Sequence, residues 1–398
     1  MRLILSLILL PEAIKQRTFV IKNIMTLPLF WLGLLLLVFI LAVLVGLFII
    51  FREEASMEVM ENDFDIVRHK FTDLLFQERD VVNYYSKTSN RDYRLLHEIF
   101  HCGMHTPLYM PYTKFLMGGL YQALHVLQQI YRYGDAEKSV SSILEIGCGR
   151  GYNLGVLSDL GLQVDGIDLC LENVEQVRNE CIQGVNKMFH GNILDTNVAL
   201  DNKKYDVIFA IESLCHIQDW NLLMDRISGL LNDDGLLIVW DGFSTDLLNQ
   251  IPFDIRHTAL QMIAKGFHTP PFRRTADFMT CAQKKNLSFL SLDTFTLEAS
   301  LFWMICWKLC RIFIRIPFLP ELLCKTFPES MGNVLASLFV YPSLRLNTTS
   351  YNSIVFRKES TKKSNEETFH PYNKGSHHDH SGGLVAFIDK AFGQHSKN

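Results

Sequence analysis

Short apolar segments alternate with amphipathic segments along the middle of the chain, from residue 142 to residue 240. Segments such as ILEI and YDVIFAI have the length and composition of buried strands, whereas ENVEQVRNECI and WNLLMDRISGLL repeat their apolar residues at helical spacing. Strands that alternate with helices build a parallel sheet with helices on both faces. Two further strand-like segments, LSFLSLDTFTL and SYNSIVFRK, follow residue 240. The pattern therefore predicts an α/β fold with a doubly wound, mostly parallel sheet.

A different pattern occupies the N-terminal part of the chain. No charged residue occurs between Asn23 and Phe51, and residues 28–51 are almost wholly apolar. A helix of this length crosses a hydrocarbon core of about 30 Å. A cleaved signal peptide would have a shorter apolar region and a small-residue cleavage site. We predict an uncleaved N-terminal transmembrane helix over 28–51, preceded by an N-terminal segment, 1–27.

Composition and charge mainly exclude alternatives. A content of 48% hydrophobic and 20% charged residues is not that of a disordered protein, and a net charge of -4 gives no general attraction to nucleic acid. The polar segment 359–398 is the exception, and we predict that it is a disordered tail. Its cluster His377, His378, Asp379 and His380 is interpreted as solvated, because no surrounding fold would support a metal site. We predict neither a nucleic-acid partner nor a bound metal.

A glycine-rich loop follows the first predicted strand. It runs from Glu145 through Gly147, Cys148 and Gly149 to Gly151 and leads directly into a predicted helix. Glycine permits a tight turn and lets a ligand approach the unpaired backbone N–H groups at a helix N-terminus. The spacing G-x-G-x-G, with an acid two residues before it, differs from the dinucleotide fingerprint G-x-G-x-x-G. The loop predicts a small-molecule cofactor site.

A second element supports this site, because the strand QVDGID ends in Asp168, where an acid can accept hydrogen bonds from both hydroxyls of a ribose. Together, the loop and Asp168 resemble the first two motifs of the class I S-adenosylmethionine-dependent methyltransferases, over about residues 140–240. The resemblance implies a Rossmann-like sheet of seven strands with S-adenosylmethionine as cofactor. It also implies that the glycines pass under the methionine part of the cofactor, that Glu145 supports the loop, and that Asp168 holds the ribose.

The third element of the family is often an acid after the third strand, which binds the adenine amine. Here the segment HGNILD has Asn192 at that position, and Asp195 is a possible substitute. Asn can still accept a hydrogen bond through its side-chain oxygen. The predicted cofactor-binding residues are Glu145, Gly147, Cys148, Gly149, Gly151, Asp168, Leu169, Asn192 and Ile193.

The fourth predicted strand ends at the sheet edge where ligands bind in open α/β folds. The tract FAIESLCHI there resembles the Y-A-I-E-A-T-C-H-A-P tract of sterol C-methyltransferases, and HIQDW is similar to the H-I-x-D of phosphoethanolamine methyltransferases. The pair Phe302-Trp303, after the sixth strand, is similar to one in tocopherol methyltransferases. These resemblances imply the branch of the family that acts on lipids and other small molecules.

Glu212 and His216, in this tract, are the candidate catalytic residues. A carboxylate at the end of a buried strand needs a partner that offsets its desolvation, which favours a functional role for Glu212. It could stabilise a carbocation if the acceptor is an alkene, whereas His216 could take the proton of an amine or a phenol. A structural alternative remains open, in which His216 only caps or packs its helix.

Two segments are predicted to cover the cofactor edge of the sheet. The first, 52–135, is predicted to be a helical lid or substrate cap, although its aromatic and histidine residues could also be ordinary packing. These residues are Tyr84, Tyr85, Tyr93, His101 and His105.

The second segment is an apolar insertion, 298–344, within a methyltransferase domain over 136–358. There, Lys308, Arg311 and Arg315 form one stripe of a helix that could lie in the bilayer interface with its basic side toward headgroups. The alternative is a core or second buried helix.

We therefore predict a membrane-anchored methyltransferase that acts on a lipid or another hydrophobic small molecule, sterol-like or quinone-like. Two other classes stay open at this point. A membrane-anchored protein methyltransferase would need an open cleft that reads a peptide. A non-catalytic methyltransferase-like scaffold would not bind the cofactor.

The side of the membrane depends on two conflicting signals. Four basic residues precede the apolar helix, whereas Arg52 is followed by Glu53 and Glu54, so the positive-inside rule places the N-terminus in the cytosol and the domain outside it. The nine scattered cysteines contain no C-x-x-C pair and indicate reduced thiols, and the cofactor is expected to be cytosolic. On these chemical grounds we predict a single-pass protein, in the endoplasmic reticulum, with its catalytic domain in the cytosol.

Overall fold

The computed structural model describes residues 52–75, 78, 80–88, 105–109, 119–134, 140–180, 184–198, 200 and 203–360. The predicted transmembrane helix over 28–51, and nearly all of the predicted tail over 359–398, lie outside these residues. The contacts divide the chain after Glu54, and the unit that begins at Ala55 contains every helix and strand named below. In the described part of the chain, no helix is both long enough and apolar enough to cross a membrane.

Seven strands of the described chain form one sheet. They are β1 (Ile143–Ile146), β2 (Val164–Asp168), β3 (Val185–His190), β4 (Tyr205–Ile211), β5 (Leu231–Ser244), β6 (Leu287–Thr294) and β7 (Thr349–Lys358). Their order is β3-β2-β1-β4-β5-β7-β6. The first five are parallel, and β7 is antiparallel to both of its neighbours. The predicted α/β fold with a mostly parallel, seven-stranded sheet is confirmed.

β5 is longer than its apolar core LLIVW suggests. It continues past Trp240 to Ser244, because β7 pairs with it along this whole stretch. The first residue of β7, Thr349, lies opposite Ser244. This extension carries β5 beyond the end of β4, which stops at Ile211. The chain therefore presents backbone and side chains of β5 at the ligand edge of the sheet.

Helices cover both faces of the sheet and surround its ligand edge. Those outside the segment between β6 and β7 are α1 (Met57–Lys70), α2 (Thr72–Leu75), α3 (Val81–Thr88), α4 (Tyr121–Tyr133), α5 (Tyr152–Asp159), α6 (Leu171–Glu180), α7 (Trp220–Leu230), α8 (Leu247–Gln250), α9 (Ile255–Gly266) and α10 (Thr275–Gln283). α4 and α5 pack on one face, and α7 and α10 pack on the other. The sheet is therefore buried on both sides, which is why β4 and the segment LLIVW of β5 are almost continuously apolar.

The segment between β6 and β7 is helical and forms a third core with α1 and α9. It contains α11 (Thr296–Ile314), α12 (Leu319–Thr326) and α13 (Pro328–Arg345). α9 and α13 cross at two glycines, where a Cβ atom on Gly266 would lie 2.4 Å from the Gly332 carbonyl oxygen. Only glycine allows the two backbones to approach this closely. The crossing holds α13 beside the ligand edge.

The predicted orientation of the basic stripe on α11 is wrong. Lys308 is 5% exposed and Arg311 is 2% exposed. The Arg311 Nε atom lies 2.8 Å from the Asp63 Oδ2 atom, and the Arg315 Nη2 atom lies 3.0 Å from Oδ1 of the same carboxylate on α1. Lys308 and Arg311 of the stripe thus face the protein, and the buried carboxylate on α1 pairs with Arg311 and with the more exposed Arg315. The alternative of a helix packed against the core describes α11 better.

We expect Asp63→Ala to lower the free energy of unfolding by about 3–5 kcal/mol, because it leaves the buried Arg311 guanidinium without its carboxylate. Chemical denaturation of the purified protein measures this change. Asp65→Ala is the matched control, since this residue lies on the same helix with its side chain exposed. Equal stability of the two variants would contradict the assigned role of Asp63.

Candidate active site

The glycine loop after β1 depends on left-handed backbone conformations. Gly147, Gly149 and Gly151 have φ angles of 70°, 52° and 76°. A Cβ atom on Gly147 would also lie 2.3 Å from the Cβ atom of Ser213, whose hydroxyl group donates a 2.6 Å hydrogen bond to the Ile146 carbonyl oxygen. The loop therefore rests directly on the chain that follows β4, and this contact requires glycine at position 147.

Asp168 ties the end of β2 to this loop. One carboxylate oxygen accepts a 2.8 Å hydrogen bond from the Gly149 N–H group. The other accepts from the Cys170 N–H group at 2.8 Å and from the Asn173 side chain at 3.2 Å. Burial raises the pKa of Asp168, although these donors oppose the shift. Asp168 thus positions the loop within the protein itself, and its predicted bonds to a ribose stay a prediction.

Glu145 lies beneath the loop and is 1% exposed. Its Oε1 atom accepts a 2.8 Å hydrogen bond from Asn153, whereas its buried Oε2 atom has no hydrogen-bond partner in the described structure. Burial raises the pKa of Glu145 to about 8, with a smaller contribution from the charge of Asp168. A buried carboxyl group with a free oxygen beside a cavity fits the ammonium group of a bound S-adenosylmethionine.

The raised pKa of Glu145 predicts a pH-dependent stability. The folded protein holds this proton up to about pH 8, whereas an unfolded Glu releases it near pH 4.5, so stability falls as pH rises between these values. We expect Glu145→Gln to reduce this fall, which melting temperatures measured from pH 5 to pH 9 without cofactor would show. Glu175→Gln, at an exposed position on α6, is the control. An unchanged pH profile in Glu145→Gln would contradict the prediction.

All of the predicted site residues line one cavity of about 1070 Å³ at the ends of β1, β2, β3 and β4. They are Glu145, Gly147, Cys148, Gly149, Gly151, Asp168, Leu169, Asn192, Ile193, Glu212 and His216. The sequence-based set is thus brought together in space, although its individual contacts to a cofactor are untested. Cavity residues that the sequence reasoning missed include Val81 of α3, Tyr152 and Gln218. Gln218 occupies the variable position of HIQDW, whereas Val81 and Tyr152 belong to no motif quoted above.

Asn192, the residue at the position of the third family motif, also stabilises the backbone locally. The Asn192 Oδ1 atom accepts a 2.9 Å hydrogen bond from the Leu194 N–H group and so stabilises the turn after β3. Asp195, the proposed substitute, does not line the cavity, and its carboxylate accepts from the Asn197 N–H group at 2.8 Å. Asn192 is therefore better placed than Asp195 for a contact with adenine.

Glu212 follows β4 with a φ angle of 49°, in the left-handed region that residues other than glycine rarely adopt. Its Oε1 atom accepts hydrogen bonds from the Thr106 N–H group and from the Tyr351 hydroxyl group, both at 2.7 Å. Burial raises the pKa of Glu212, although the bond from Tyr351 opposes this shift. The contacts orient the carboxylate and offset part of its desolvation, as expected for a functional acid at a strand end.

Asp241 is a second acid at this edge, and the sequence reasoning missed it. β4 and β5 pair Ile211 with Trp240, so the next residues along the two strands are Glu212 and Asp241. The Asp241 carboxylate accepts hydrogen bonds from the N–H groups of Cys215 at 2.8 Å and Gly242 at 2.9 Å. Burial, aided by the charge of Glu212, raises the pKa of Asp241 to about 7. An acid directly after the apolar run LLIVW is the same signal that identified Asp168.

A second cavity of about 400 Å³ adjoins the first. Four residues line both, namely Tyr85, His105, Glu212 and His216. Most of the exposed surface in the rest of this second cavity is apolar and comes from residues such as Ile263, Phe272, Phe302, Trp303 and Val340. Hydroxyl and amide side chains, including Thr269, Asn333 and Ser337, line it as well. The pair Phe302-Trp303, which resemblance marked in the sequence, thus lines a mostly apolar chamber beside the cofactor cavity.

The described part of the predicted cap contributes to both cavities. The Tyr85 hydroxyl group lies 2.8 Å from the His216 Nε2 atom, and Ser86 donates a 3.1 Å hydrogen bond to Glu172 beside the cofactor cavity. Tyr84 is buried instead, stacks on His268 and hydrogen-bonds Asn333.

The described residues contain no cluster of three metal-ligating side chains. Tyr93, His101 and the histidine cluster of the tail lie outside the described residues.

Comparison with known proteins agrees with this geometry. A family model described as "Methyltransferase domain" matches residues 121–286, from α4 to the end of α10. The ubiquinone biosynthesis O-methyltransferase of Pelagibacter ubique is 26% identical over 168 residues, which are 41% of this chain and 69% of that enzyme. The corresponding enzyme of Bartonella tribocorum is 28% identical over 97 residues, 24% of this chain and only 39% of that enzyme.

Solved structures share the fold. The cyclopropane synthase MmaA2 from Mycobacterium tuberculosis has a TM-score of 0.55 at 11% identity, covering 70% of this chain and 99% of that chain. Geranyl diphosphate C-methyltransferase from Streptomyces coelicolor, solved with S-adenosyl-L-homocysteine, has a TM-score of 0.50 at 15% identity, covering 70% and 96%. This chain thus carries an S-adenosylmethionine-dependent methyltransferase domain, and the predicted cofactor is confirmed.

Proposed function

We propose that the protein transfers the methyl group of S-adenosylmethionine to a hydrophobic small molecule or lipid, which binds in the second cavity. The observation that carries the proposal is the mostly apolar chamber of about 400 Å³ that shares Glu212 and His216 with the cofactor cavity. Sites for small molecules are concave and apolar with a few polar groups at the reacting end. The shared residues would provide those polar groups.

The cofactor half of the site would orient the methyl donor. The glycine loop offers backbone N–H groups, and Glu145 offers a buried carboxyl oxygen to the methionine part, while Asp168 and Asn192 line the rest of the cavity. When bound, the cofactor supplies a methyl group that its sulfonium already activates. The protein therefore needs mainly to align an acceptor atom with that group and to exclude water.

The polar groups at the junction suit removal of a proton from the acceptor. Asp241 has a pKa of about 7, which is matched to proton transfer near neutral pH, and Glu212 lies beside it along the strand ends. His216 could instead take the proton of a phenol or an amine, with Tyr85 as its hydrogen-bond partner. With an alkene acceptor, the carboxylates and the aromatic wall would stabilise a cation.

The named acceptors of related proteins fit this range. The relatives include ubiquinone biosynthesis O-methyltransferases and (S)-coclaurine N-methyltransferase from Papaver somniferum, which matches 26% of this chain and 30% of that enzyme. A quinone-like or sterol-like acceptor would fill an apolar cavity of the observed size. We extend the proposal to a single membrane anchor over residues 28–51, in the endoplasmic reticulum with the domain in the cytosol, which rests on the apolar sequence and the scattered cysteines.

Methyl-labelled cofactor tests the proposal. Membranes that contain the full chain, or its Glu212→Gln variant, are incubated with S-adenosylmethionine tritiated in the methyl group and then extracted with organic solvent. We expect label in the lipid extract only with the unaltered chain. Label confined to the protein pellet would replace the proposal with a protein methyltransferase. Absence of both label and cofactor binding would leave a non-catalytic scaffold.

A further inference from the structure

α11 exposes an apolar surface on the side that faces away from the core. Leu297 is 79% exposed, Leu301 is 40% exposed and Leu309 is 56% exposed. At 3.6 residues per turn these three side chains spread over about 120° of the helix surface. The surface continues beyond the helix through Ile316, Phe318, which is 86% exposed, and Leu322 on α12. These six side chains form the outer apolar face. The helix is about 28 Å long, so the face is extended.

α11 is apolar on its buried side and on part of its exposed side. Phe302, Trp307 and Ile314 are buried, as are the charged residues Lys308 and Arg311, whereas three leucines face outward. An amphipathic helix on a soluble surface would have polar residues at those outward positions. A continuous apolar face of this size marks contact with another protein or with a membrane.

We propose that the outer apolar face lies on the surface of a phospholipid bilayer, among the acyl chains below the headgroups. This inference rests on the proposed function, in particular its membrane anchor. The uncharged segment ends at Phe51, and α1 begins at Met57. The five residues between them span at most about 18 Å. α1 in turn packs on α11 through Asp63, so five residues of sequence separate the predicted anchor from a helix that contacts α11.

Cations at one end of the outer apolar face agree with this occupant. Lys70 donates a hydrogen bond to the Ile316 carbonyl oxygen and pairs with Glu321 at 3.4 Å. Arg315, which precedes Ile316, is exposed at the end of α11 and shares the Asp63 carboxylate with Arg311. Lys325 is exposed on α12. Basic residues beside an apolar face are attracted to anionic headgroups, at about 1 kcal/mol each.

α11 also lines the second cavity, which gives the proposed contact a function. Ala299, Phe302, Trp303 and Cys306 line the second cavity, whereas Leu301 and Leu309 belong to the outer apolar face. The helix is therefore the partition between the proposed acceptor chamber and the bilayer. An acceptor dissolved in the acyl chains would reach the chamber around one helix, without crossing water.

Site-specific photo-crosslinking of the full chain tests this inference. The photoreactive residue p-benzoyl-phenylalanine replaces Leu309 or Phe318 of the outer apolar face, or Phe253, a control that is 71% exposed before α9. A fourth position, Leu36, reports on the predicted anchor. The protein is reconstituted into vesicles of phosphatidylcholine and phosphatidylserine that carry radiolabelled phospholipid. Binding of S-adenosylmethionine verifies that each variant is folded.

We expect lipid adducts at Leu309 and Phe318, at about 10-fold or more the yield at Phe253, since residues of an interfacial helix lie about 5–10 Å deep among acyl chains. Adducts at Leu36 but not at Leu309 or Phe318 would overturn the inference and leave the anchor intact. Adducts at Leu309 and Phe318 without any at Leu36 would support contact of the outer apolar face with lipid and contradict the predicted anchor. Crosslinks from Leu309 to a second copy, or to residues 28–51 of the same chain, would overturn the inference by identifying another occupant.

Discussion

Gly147→Ala is expected to weaken binding of S-adenosylmethionine about 100-fold, as measured by calorimetry. The φ angle of 70° is unfavourable for Ala, and the new methyl group would lie 2.3 Å from the Ser213 Cβ atom. Each effect costs about 1–3 kcal/mol, and 1.4 kcal/mol corresponds to tenfold in affinity. Because Ser213 is held by its bond to the Ile146 carbonyl oxygen, the loop has to move instead. A displaced loop no longer presents its N–H groups to the cofactor.

Gly161→Ala is the matched control for this change. Gly161 also has a positive φ angle, 86°, but nothing lies within 4 Å of the position that a Cβ atom would occupy. It therefore isolates the conformational cost of Ala from the steric cost, at a turn outside the cavity. We expect a modest loss of stability and unchanged cofactor affinity. If Gly147→Ala binds the cofactor as well as Gly161→Ala does, the loop is not the cofactor site.

Glu212→Gln is expected to reduce methyl transfer by about 100-fold or more, the typical contribution of a positioned acid or base. The change keeps the shape of the side chain, and the amide oxygen can still accept from Thr106 and Tyr351. What it removes is the negative charge that can hold a proton or stabilise a cation. Turnover is measured as tritium in the lipid extract, and cofactor affinity by calorimetry. We expect affinity to change little.

Tyr351→Phe provides the graded comparison, since it removes one donor to Glu212 and leaves the carboxyl group in place. We expect a smaller loss of turnover than in Glu212→Gln, with cofactor binding again retained. If Glu212→Gln loses affinity and turnover in equal proportion, Glu212 contacts the cofactor and does not act at the reacting centre.

Local pattern was sufficient for the sheet and the cofactor loop. The period of apolar residues distinguishes strand from helix. The loop needs positive φ angles at Gly147, Gly149 and Gly151, and glycine adopts such angles without a steric cost. Asp168 was identified because an acid at the end of a parallel strand lies at the edge of the sheet where ligands bind. Asp241 carried the same signal but was missed, because the extension of β5 depends on β7, more than 100 residues later in the chain.

The sequence by itself therefore determined the fold class and the residues that gather at the ends of the first strands, since both follow from local periodicity and backbone preference. The methyl donor followed from the resemblance of the glycine loop and Asp168 to the class I methyltransferase motifs. Only the tertiary structure decided which groups meet Glu212, because Thr106 and Tyr351 are brought to it from distant segments. It also decided the orientation of α11. Helical spacing shows that Lys308 and Arg311 share a face, but only the buried Asp63 of α1 shows that this face points inward.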